Sequence, residues 1–263
     1  MTAVDPSTLA AGTYARKQIF SRSRLVAWSH GSRFEMAKRL VAGAAGGRLL
    51  DYGCGDGTFV AMAHGAFAAT VGTDVDAEQL ADCSRRFRDL PRLAFVPRAA
   101  LLEDPGARHA GAYDAVTCME VLEHCVDEVR RGVLEDLRRL VAPTGRVIIS
   151  VPIEVGPSLL AKQVARRLAA WRRIGDYAHA ERYGWRELAR MALPGPGHEI
   201  ARPTYGDPAA GGACVYHGHK GFDWRTLEAE ARLFFDLEPP RYSPMPLLGP
   251  LLNSQVWLVG RPR

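Results

Sequence analysis

The stretch LLDYGCGDGTF, residues 49–59, places a carboxylate beside three glycines between an apolar run and a helix-like segment. Glycine permits positive φ and lets a ligand approach the backbone closely, so a turn of this kind predicts a ligand site. A dinucleotide turn reads G-x-G-x-x-G, and its third glycine would fall at position 58, where the chain has Thr58. Asp51 just before the turn would also repel phosphates. The turn therefore favours a ligand that carries positive charge.

Short apolar runs alternate with amphipathic stretches on both sides of this turn. They predict strands at Arg48–Tyr52, Ala69–Thr73, 93–96, 113–118, 146–151 and 255–260, and helices near 58–64, 77–87, 127–140 and 224–233. This alternation is typical of βαβ units with a parallel sheet covered on both faces. We therefore predict an α/β fold, Rossmann-like and doubly wound, with a mostly parallel seven-stranded sheet.

One domain over residues 1–263 explains this order. Residues 1–47 are predicted to form an N-terminal helical cap, because apolar residues recur there at spacings of three and four. Residues 48–154 would form the cofactor-binding core and 155–216 a lid-like insertion after strand 5. Residues 217–263 would complete the core.

Composition excludes several classes of protein. The 263 residues are 47% hydrophobic with a net charge of +5, which suits a folded domain with a sizeable core. No apolar run is long enough for a membrane-spanning helix. Five cysteines without a CxxC pair argue against a disulfide framework or a zinc knuckle. With no secretory signal pattern at the start, these features predict a cytoplasmic protein.

The positive charge is unevenly spread. Residues 1–48 carry eight basic and two acidic side chains, residues 155–216 carry nine and five, and the remainder is net acidic. An acidic core suits a cationic cofactor. The two basic segments would cover the acceptor site, which predicts a small-molecule acceptor that is anionic or lipid-linked.

Four segments together resemble the class I S-adenosylmethionine (SAM) dependent methyltransferases. They are the turn after strand 1, TVGTDVD (70–76), YDAVTCMEVLEH (113–124) and RLVAPTGRVIISVP (139–152). Thr144 stands where the family often has glycine. The resemblance covers residues 48–152 well and the last 45 residues loosely. It implies SAM as cofactor and S-adenosylhomocysteine as product.

The resemblance also implies which residues hold the cofactor. Asp74, at the end of strand 2, would bind the ribose hydroxyls and Val75 would pack on adenine, whose amine would meet only backbone near Ala99 and Ala100. Arg33 in the cap would meet the cofactor carboxylate, with His30 beside the substrate. The whole predicted set is Arg33, Asp51, Tyr52, Gly53, Cys54, Gly55, Asp74, Val75, Met119 and Glu120.

The segment EVLEH supplies Glu120, Glu123 and His124, and YHGHKGFDW supplies His219. The pattern is similar to that of ubiquinone-biosynthesis O-methyltransferases and small-RNA 2′-O-methyltransferases, in which it can bind a divalent metal such as Mg or Mn. The alternative, which we favour, is that Glu123 and His124 stand at the start of a helix, near its dipole, and that His124 faces the substrate as a general base. His219 is the other candidate base. The predicted catalytic residues are His124, His219 and Glu120.

The insertion opens with a basic amphipathic helix over residues 157–173. It carries Lys162, Arg166, Arg167, Arg172 and Arg173 and no acidic residue. A lid over the active site is the first interpretation, and peripheral contact with an anionic membrane is the second. Few aromatic residues accompany the charges, so RNA binding is disfavoured, and no DNA partner is expected.

We therefore predict a SAM-dependent methyltransferase that acts on an oxygen of a small-molecule or lipid- or glycan-linked metabolite by in-line displacement. Three alternatives stay open. One is an RNA 2′-O-methyltransferase-like enzyme with a divalent metal at the ExxEH site. Another is a nicotinamide-dependent oxidoreductase. The last is a protein that binds SAM or RNA without catalysis.

Overall fold

The computed structural model describes residues 4–21, 23–103, 106–171, 182–195, 198–206 and 215–263. Five strands run parallel: β1 (Arg48–Tyr52), β2 (Ala69–Thr73), β3 (Leu93–Phe95), β4 (Tyr113–Met119) and β5 (Val141–Pro152). The chain goes from β1 outwards through β2 to β3 and then returns to place β4 on the other side of β1. The carboxyl ends of β1 and β4 thus flank the switch point, where ligands bind in open α/β sheets.

The sheet continues past β5 with antiparallel strands. Further along the chain come β6 (Thr204–Gly206), β7 (Val215–His217), β8 (Phe235–Leu237), β9 (Arg241–Ser243) and β10 (Gln255–Pro262). The main sheet has the order β3-β2-β1-β4-β5-β10-β8, and β9 also pairs with β10. The predicted doubly wound, mostly parallel fold is confirmed, with β9 as a strand beyond the seven expected. Strands β6 and β7 form a separate antiparallel hairpin.

Helices cover both faces of the sheet. In chain order they are α1 (Pro6–Ala10), α2 (Arg24–Val41), α3 (Thr58–Ala63), α4 (Ala77–Arg86), α5 (Arg98–Leu102), α6 (Asp127–Leu140), α7 (Pro157–Trp171), α8 (Trp185–Ala192) and α9 (Trp224–Ala231). The α6 residues Leu134 and Leu137 are fully buried in the core on one face. On the other face, α2 packs Phe34 and Leu40 with Trp257 of β10. The cap is therefore part of the hydrophobic core.

Caps explain where two of these helices begin. The Asp76 carboxylate accepts a hydrogen bond from the Gln79 N–H and starts α4 directly after β2. The Ser23 hydroxyl accepts from the Val26 N–H at the start of α2. The first cap fixes where the chain turns after Asp74, which is predicted to bind the cofactor.

Helix α7 (Pro157–Trp171) corresponds to most of the basic helix predicted over residues 157–173. Arg172 and Arg173 of that prediction lie outside the described residues. Within the described ranges, no helix combines the length and the apolar character that a bilayer crossing requires.

Candidate active site

The glycine turn closes tightly around the end of β2. The N–H groups of Gly53 and Cys54 both donate to the Thr73 carbonyl, at 2.8 and 2.9 Å. Gly53 has φ +82°, and a Cβ there would lie 2.3 Å from Cγ2 of Val121, in the segment after β4. Any other residue at this position would have to displace the Val121 side chain and would be strained at this φ. The glycine thus brings the two strand ends together.

Gly55 faces open space, and its backbone N–H binds Asp74, the acidic residue predicted to hold the ribose. No described heavy atom comes within 4 Å of the position that a Cβ on Gly55 would take. Its N–H donates to Oδ2 of Asp74 at 2.8 Å, and the Asp76 N–H donates to Oδ1 at 3.1 Å. Val75 beside it is 86% exposed. The turn, Asp74 and Val75 therefore form an open shelf at the switch point.

Asp51 lies buried behind this shelf, 1% exposed. The Thr117 hydroxyl donates to its Oδ1 at 2.7 Å. Burial raises the pKa of Asp51 to about 7; the Thr117 hydrogen bond opposes the rise and the charge of Asp74 adds to it. A cation bound at the turn would favour the ionised carboxylate. The site is thus electrostatically suited to a positively charged ligand.

The side chains of Tyr52 and Cys54 serve the packing around the turn. The Tyr52 hydroxyl donates to Oδ2 of Asp136 in α6 at 2.6 Å and accepts from Nε of Arg98 at 2.7 Å. Cys54 is buried, and burial raises the pKa of its thiol. Met119 packs against the core cluster under the cap. Cofactor contacts from these three residues stay predictions.

A polar network joins the cap to the ends of β4 and β10. Arg33 donates from Nε to Oε1 of Gln255 at 2.8 Å and from Nη1 to the Tyr14 hydroxyl at 3.1 Å, and its Nη2 lies 3.3 Å from Oε2 of Glu120. The Tyr14 hydroxyl is also 2.9 Å from Nδ1 of His30. The structure thus places Arg33, His30 and Glu120 together. Sequence reasoning missed Tyr14 and Gln255, which carry no motif.

In the described part of the chain, three side chains that could ligate a metal meet just past the end of β4. One ligand atom each from Glu123, His124 and His219 lies within 4.8 Å of the others. Glu123 is fully buried, and within the described part of the chain neither of its carboxylate oxygens has a hydrogen-bond partner; the same holds for Nδ1 of His219. Unsatisfied buried polar atoms are rare in folded proteins, so they indicate a function for this group.

The hairpin β6–β7 orients one of these histidines. Nδ1 of His124 lies 2.9 Å from the His217 carbonyl, and the His217 N–H donates to the His124 carbonyl at 2.8 Å. A carbonyl only accepts, so Nδ1 carries the proton and the neutral ring keeps a lone pair on Nε2. That nitrogen lies 3.9 Å from Oε1 of Glu123. The ring thus presents an acceptor nitrogen to the cluster.

Burial shifts the pKa values of Glu123 and His219 in the cluster. It raises the pKa of Glu123 well above its usual range, and the nearby charge of Glu120 acts in the same direction. Burial lowers the pKa of His219 to about 4, so this imidazole is neutral at physiological pH. A neutral imidazole is the form that either binds a metal or accepts a proton.

A buried carboxylate next to this cluster holds the insertion in place. Glu154, just past β5 and fully buried, lies 3.1 Å from Nζ of Lys162 and accepts two hydrogen bonds from Arg166 at 2.7 and 3.1 Å. Burial alone would raise its pKa, but the two cations hold that pKa at about 2. Two cations of the basic helix therefore point inwards, to Glu154.

The doubly wound sheet with its glycine turn is the architecture expected of a methyltransferase, and comparisons with known proteins agree with that class. Residues 50–147 match the family model described as a methyltransferase domain. The ubiquinone biosynthesis O-methyltransferase of Cronobacter sakazakii is 38% identical over 111 residues, which are 42% of this chain and 44% of that protein. The chain spans about half the length of the curated relatives it matches.

Solved structures share the fold. A SAM-dependent methyltransferase from Mesorhizobium loti superposes with a TM-score of 0.53 at 16% identity, covering 88% of this chain and 97% of that one. The N-methyltransferase NodS from Bradyrhizobium japonicum, solved with S-adenosylhomocysteine, gives a TM-score of 0.52 at 10% identity, covering 89% and 87%. Residues 50–147 thus match a methyltransferase domain, and the chain has the fold of SAM-dependent methyltransferases, in agreement with the predicted family and enzyme class.

Proposed function

We propose that the protein transfers the methyl group of SAM to an oxygen atom of a small-molecule or lipid-linked acceptor. The observation that carries the proposal is the cluster of Glu123, His124 and His219, whose ligand atoms lie within 4.8 Å of one another just past β4. Such a group suits an acceptor hydroxyl, which must lose a proton to become a good nucleophile. The names of the curated relatives, which are O-methyltransferases, support the same choice.

SAM would lie on the shelf formed by the glycine turn. Asp74 would accept hydrogen bonds from the ribose hydroxyls, Val75 would pack against adenine, and Asp51 would stabilise the cationic part of the cofactor. Arg33 would reach the cofactor carboxylate from the cap. The product left in this site would be S-adenosylhomocysteine.

The cluster fits a divalent cation. A buried carboxylate with two unsatisfied oxygens, one imidazole nitrogen oriented by a carbonyl and a second neutral imidazole form a donor set for Mn or a similar ion. Glu123, His124 and His219 would hold the ion, with Glu120 next to them. When bound, a cation lowers the pKa of a coordinated hydroxyl. Without a cation, His124 would act through Nε2 as the general base.

Alignment supplies the rest of the catalysis. Charge is neutralised during methyl transfer from a sulfonium, so the protein gains most by holding the acceptor oxygen in line with the methyl carbon and by excluding water. The network of Arg33, Gln255 and Glu120 fixes the cap against the strand ends. The pairing of Glu154 with α7 fixes the insertion on the other side. These two segments would enclose the acceptor.

The test is a methyl-transfer assay with labelled SAM on the purified chain. The acceptors would be a series of phenols with and without a carboxylate and with and without a prenyl tail, plus a small RNA. We expect label on a phenolic oxygen and loss of activity after EDTA that Mn or Mg restores. Full activity after EDTA would assign the cluster to base catalysis. Label in RNA alone would show the RNA 2′-O-methyltransferase alternative to be correct.

Calorimetric titration separates cofactor classes. We expect heat of binding with SAM and S-adenosylhomocysteine and none with NAD(H). Binding of NAD(H) but not of SAM would overturn the proposed function and restore the oxidoreductase hypothesis.

A further inference from the structure

The cluster of Glu123, His124 and His219 is assembled from two separate segments of the chain. Glu123 and His124 lie between β4 and α6, whereas His219 follows β7. The two segments pair at His124, where the His217 N–H donates to the His124 carbonyl at 2.8 Å. Metal ligands are usually held in place by further contacts behind them. A site made in this way therefore needs a second contact that fixes Glu123 against His219.

Arg202 makes this second contact. It lies in the insertion, two residues before β6, and its guanidinium reaches both segments. Its Nη2 donates to the Glu123 carbonyl and, at 3.0 Å, to the Gly218 carbonyl. The first carbonyl belongs to a residue of the cluster, and the second belongs to the residue just before His219. One nitrogen atom therefore joins the backbones of the two segments that carry the ligands.

The surroundings of Arg202 hold its guanidinium in place. The central carbon of the guanidinium lies 5.2 Å from the centre of the buried Phe222 ring, a distance at which cation and ring attract each other. Gly221 has φ +77°, and a Cβ there would lie 3.1 Å from Cγ of Arg202. The neighbouring backbone is fixed as well, since Nδ1 of His217 lies 2.9 Å from the Pro203 carbonyl. The chain around His219 is thus shaped to receive the Arg202 side chain.

We propose that Arg202 is a positioning residue, which holds Glu123 and His219 close enough together to bind one divalent cation. Arg202 is not itself a ligand, because a guanidinium is positively charged and only donates hydrogen bonds. It acts through the backbone of the residues that carry the ligands. This role rests on the proposed function, in which the cluster holds a cation.

Packing alone does not account for an arginine at this position. An apolar side chain could fill the same space against Phe222, but it would take the donor away from both carbonyls. A lysine would keep a cationic donor but would lose the planar group that stacks on the ring. No motif marked Arg202 in the sequence, because its carbonyl partners lie 79 and 16 positions away.

Titration of the purified chain with Mn²⁺ tests the proposal, with free Mn²⁺ measured by electron paramagnetic resonance. No acceptor is present, so the measurement does not depend on turnover. We expect Arg202→Met to weaken Mn²⁺ binding at least about tenfold, the usual effect of removing a group that orients a metal ligand. Arg202→Lys keeps a cationic donor and should recover part of this affinity. The Kd for SAM should be unchanged in both variants.

Kinetics should separate a positioning residue from a ligand. Excess Mn²⁺ should restore most of the kcat that Arg202→Met loses, because all three ligands are still present. Excess Mn²⁺ should not restore the kcat of Glu123→Gln, because that variant lacks a ligand. A kcat of Arg202→Met that stays low at saturating Mn²⁺ would overturn the positioning role.

The matched control is Arg186→Met, which removes another arginine of the insertion that lies over an aromatic ring, 5.4 Å from the centre of Trp185. It should bind Mn²⁺ like the wild type. Equal losses in Arg202→Met and Arg202→Lys would overturn the proposal, since packing on Phe222 would then explain the effect. So would a fall in SAM affinity as large as the fall in Mn²⁺ affinity, which would mean that Arg202 supports the fold as a whole.

The wild type separates failure of this role from failure of the proposed function. If the wild type binds Mn²⁺ and Arg202→Met binds it equally well, only the role of Arg202 is overturned. If the wild type binds no Mn²⁺, the metal site of the proposed function is overturned together with this role.

Discussion

The candidate site has two parts that are built in different ways. The cofactor half is the glycine turn with Asp51 and Asp74, together with Arg33 of the cap. The acceptor half is the cluster of Glu123, His124 and His219. In the cofactor half, the hydrogen bond from the Gly55 N–H to Asp74 joins residues 19 positions apart. The hydrogen bond from the Asp76 N–H to Asp74 joins residues two positions apart. In the acceptor half, Gln255 bonds Glu120 across 135 positions and His124 bonds His217 across 93. A short stretch of chain makes most of the first half. Three distant segments, which are the chain after β4, the segment from β7 to His219 and the start of β10, must fold together to make the second.

This difference predicts separate consequences of mutation. Damage to the acceptor half should leave cofactor affinity intact, because the glycine turn is completed by β1, β2 and the chain after β4. Damage to the cofactor half should abolish methyl transfer to every acceptor alike. The following variants test this separation, in order of decreasing expected effect.

Glu154→Gln should destabilise the protein by roughly 3 kcal/mol, because it leaves two largely buried cations without their carboxylate. A thermal melt measures the loss, and the variant should still bind SAM. The folded pKa of about 2 lies below the usual Glu value. The stabilisation is therefore complete above about pH 5 and lost as the pH falls towards 2. Glu135→Gln on the exposed side of α6 is the control. An unchanged melting temperature would show that α7 is held by other contacts.

Glu123→Gln should lower kcat at least about 100-fold with an unchanged Kd for SAM, because a neutral amide of the same shape is a poor cation ligand. Folding should survive, since glutamine has the same shape and the burial that raises the pKa of Glu123 already disfavours its charged form. Steady-state kinetics and calorimetry measure the two quantities. Glu128→Gln, at an exposed position in α6, is the control. A parallel loss of SAM affinity would break the proposed separation of the halves.

Asp51→Asn should weaken SAM binding about tenfold at pH 8, or about 1.4 kcal/mol. The folded pKa of about 7 implies that wild-type affinity rises as the pH increases through 7, and the variant should lack this rise. The stability of the SAM-free protein should increase in this variant, whereas its affinity for SAM falls. A raised carboxyl pKa costs stability that grows from about pH 4 to 7 and is complete above pH 7, so the SAM-free variant should melt higher than the wild type at pH 8. An affinity independent of pH in the wild type would contradict the assigned role.

Tyr14→Phe should weaken the free energy of SAM binding by about 1 kcal/mol or less, because it removes one hydroxyl that contacts Arg33 and His30. The expected result is a two- to threefold weaker Kd for SAM at unchanged kcat, as estimated from the loss of about half of one such bond. Calorimetry and kinetics provide the measurement. A larger fall in kcat than in affinity would place Tyr14 in the acceptor half.

Much of the cofactor half could be predicted from local pattern. Strands β1, β2 and β4 lie where the apolar runs indicated, and Asp51 and Asp74 stand at their strand ends. Strand β5 was predicted over 146–151 and begins earlier, at Val141, where Tyr113 of β4 pairs with it. The β9 strand, Tyr14 and Gln255 could not be found this way. Each depends on a partner far along the chain, and no spacing rule connects such residues.

By itself, the sequence determined the doubly wound sheet, the glycine turn and the residues that meet at the switch point, because alternating periodicity and glycine conformations act over a few residues. Only the tertiary structure decided that Glu123 is fully buried beside His124 and His219, that Lys162 and Arg166 face Glu154, and that Tyr14 and Gln255 bond Arg33. Burial and charge pairing between distant segments set these features, and they exist only once the chain has packed.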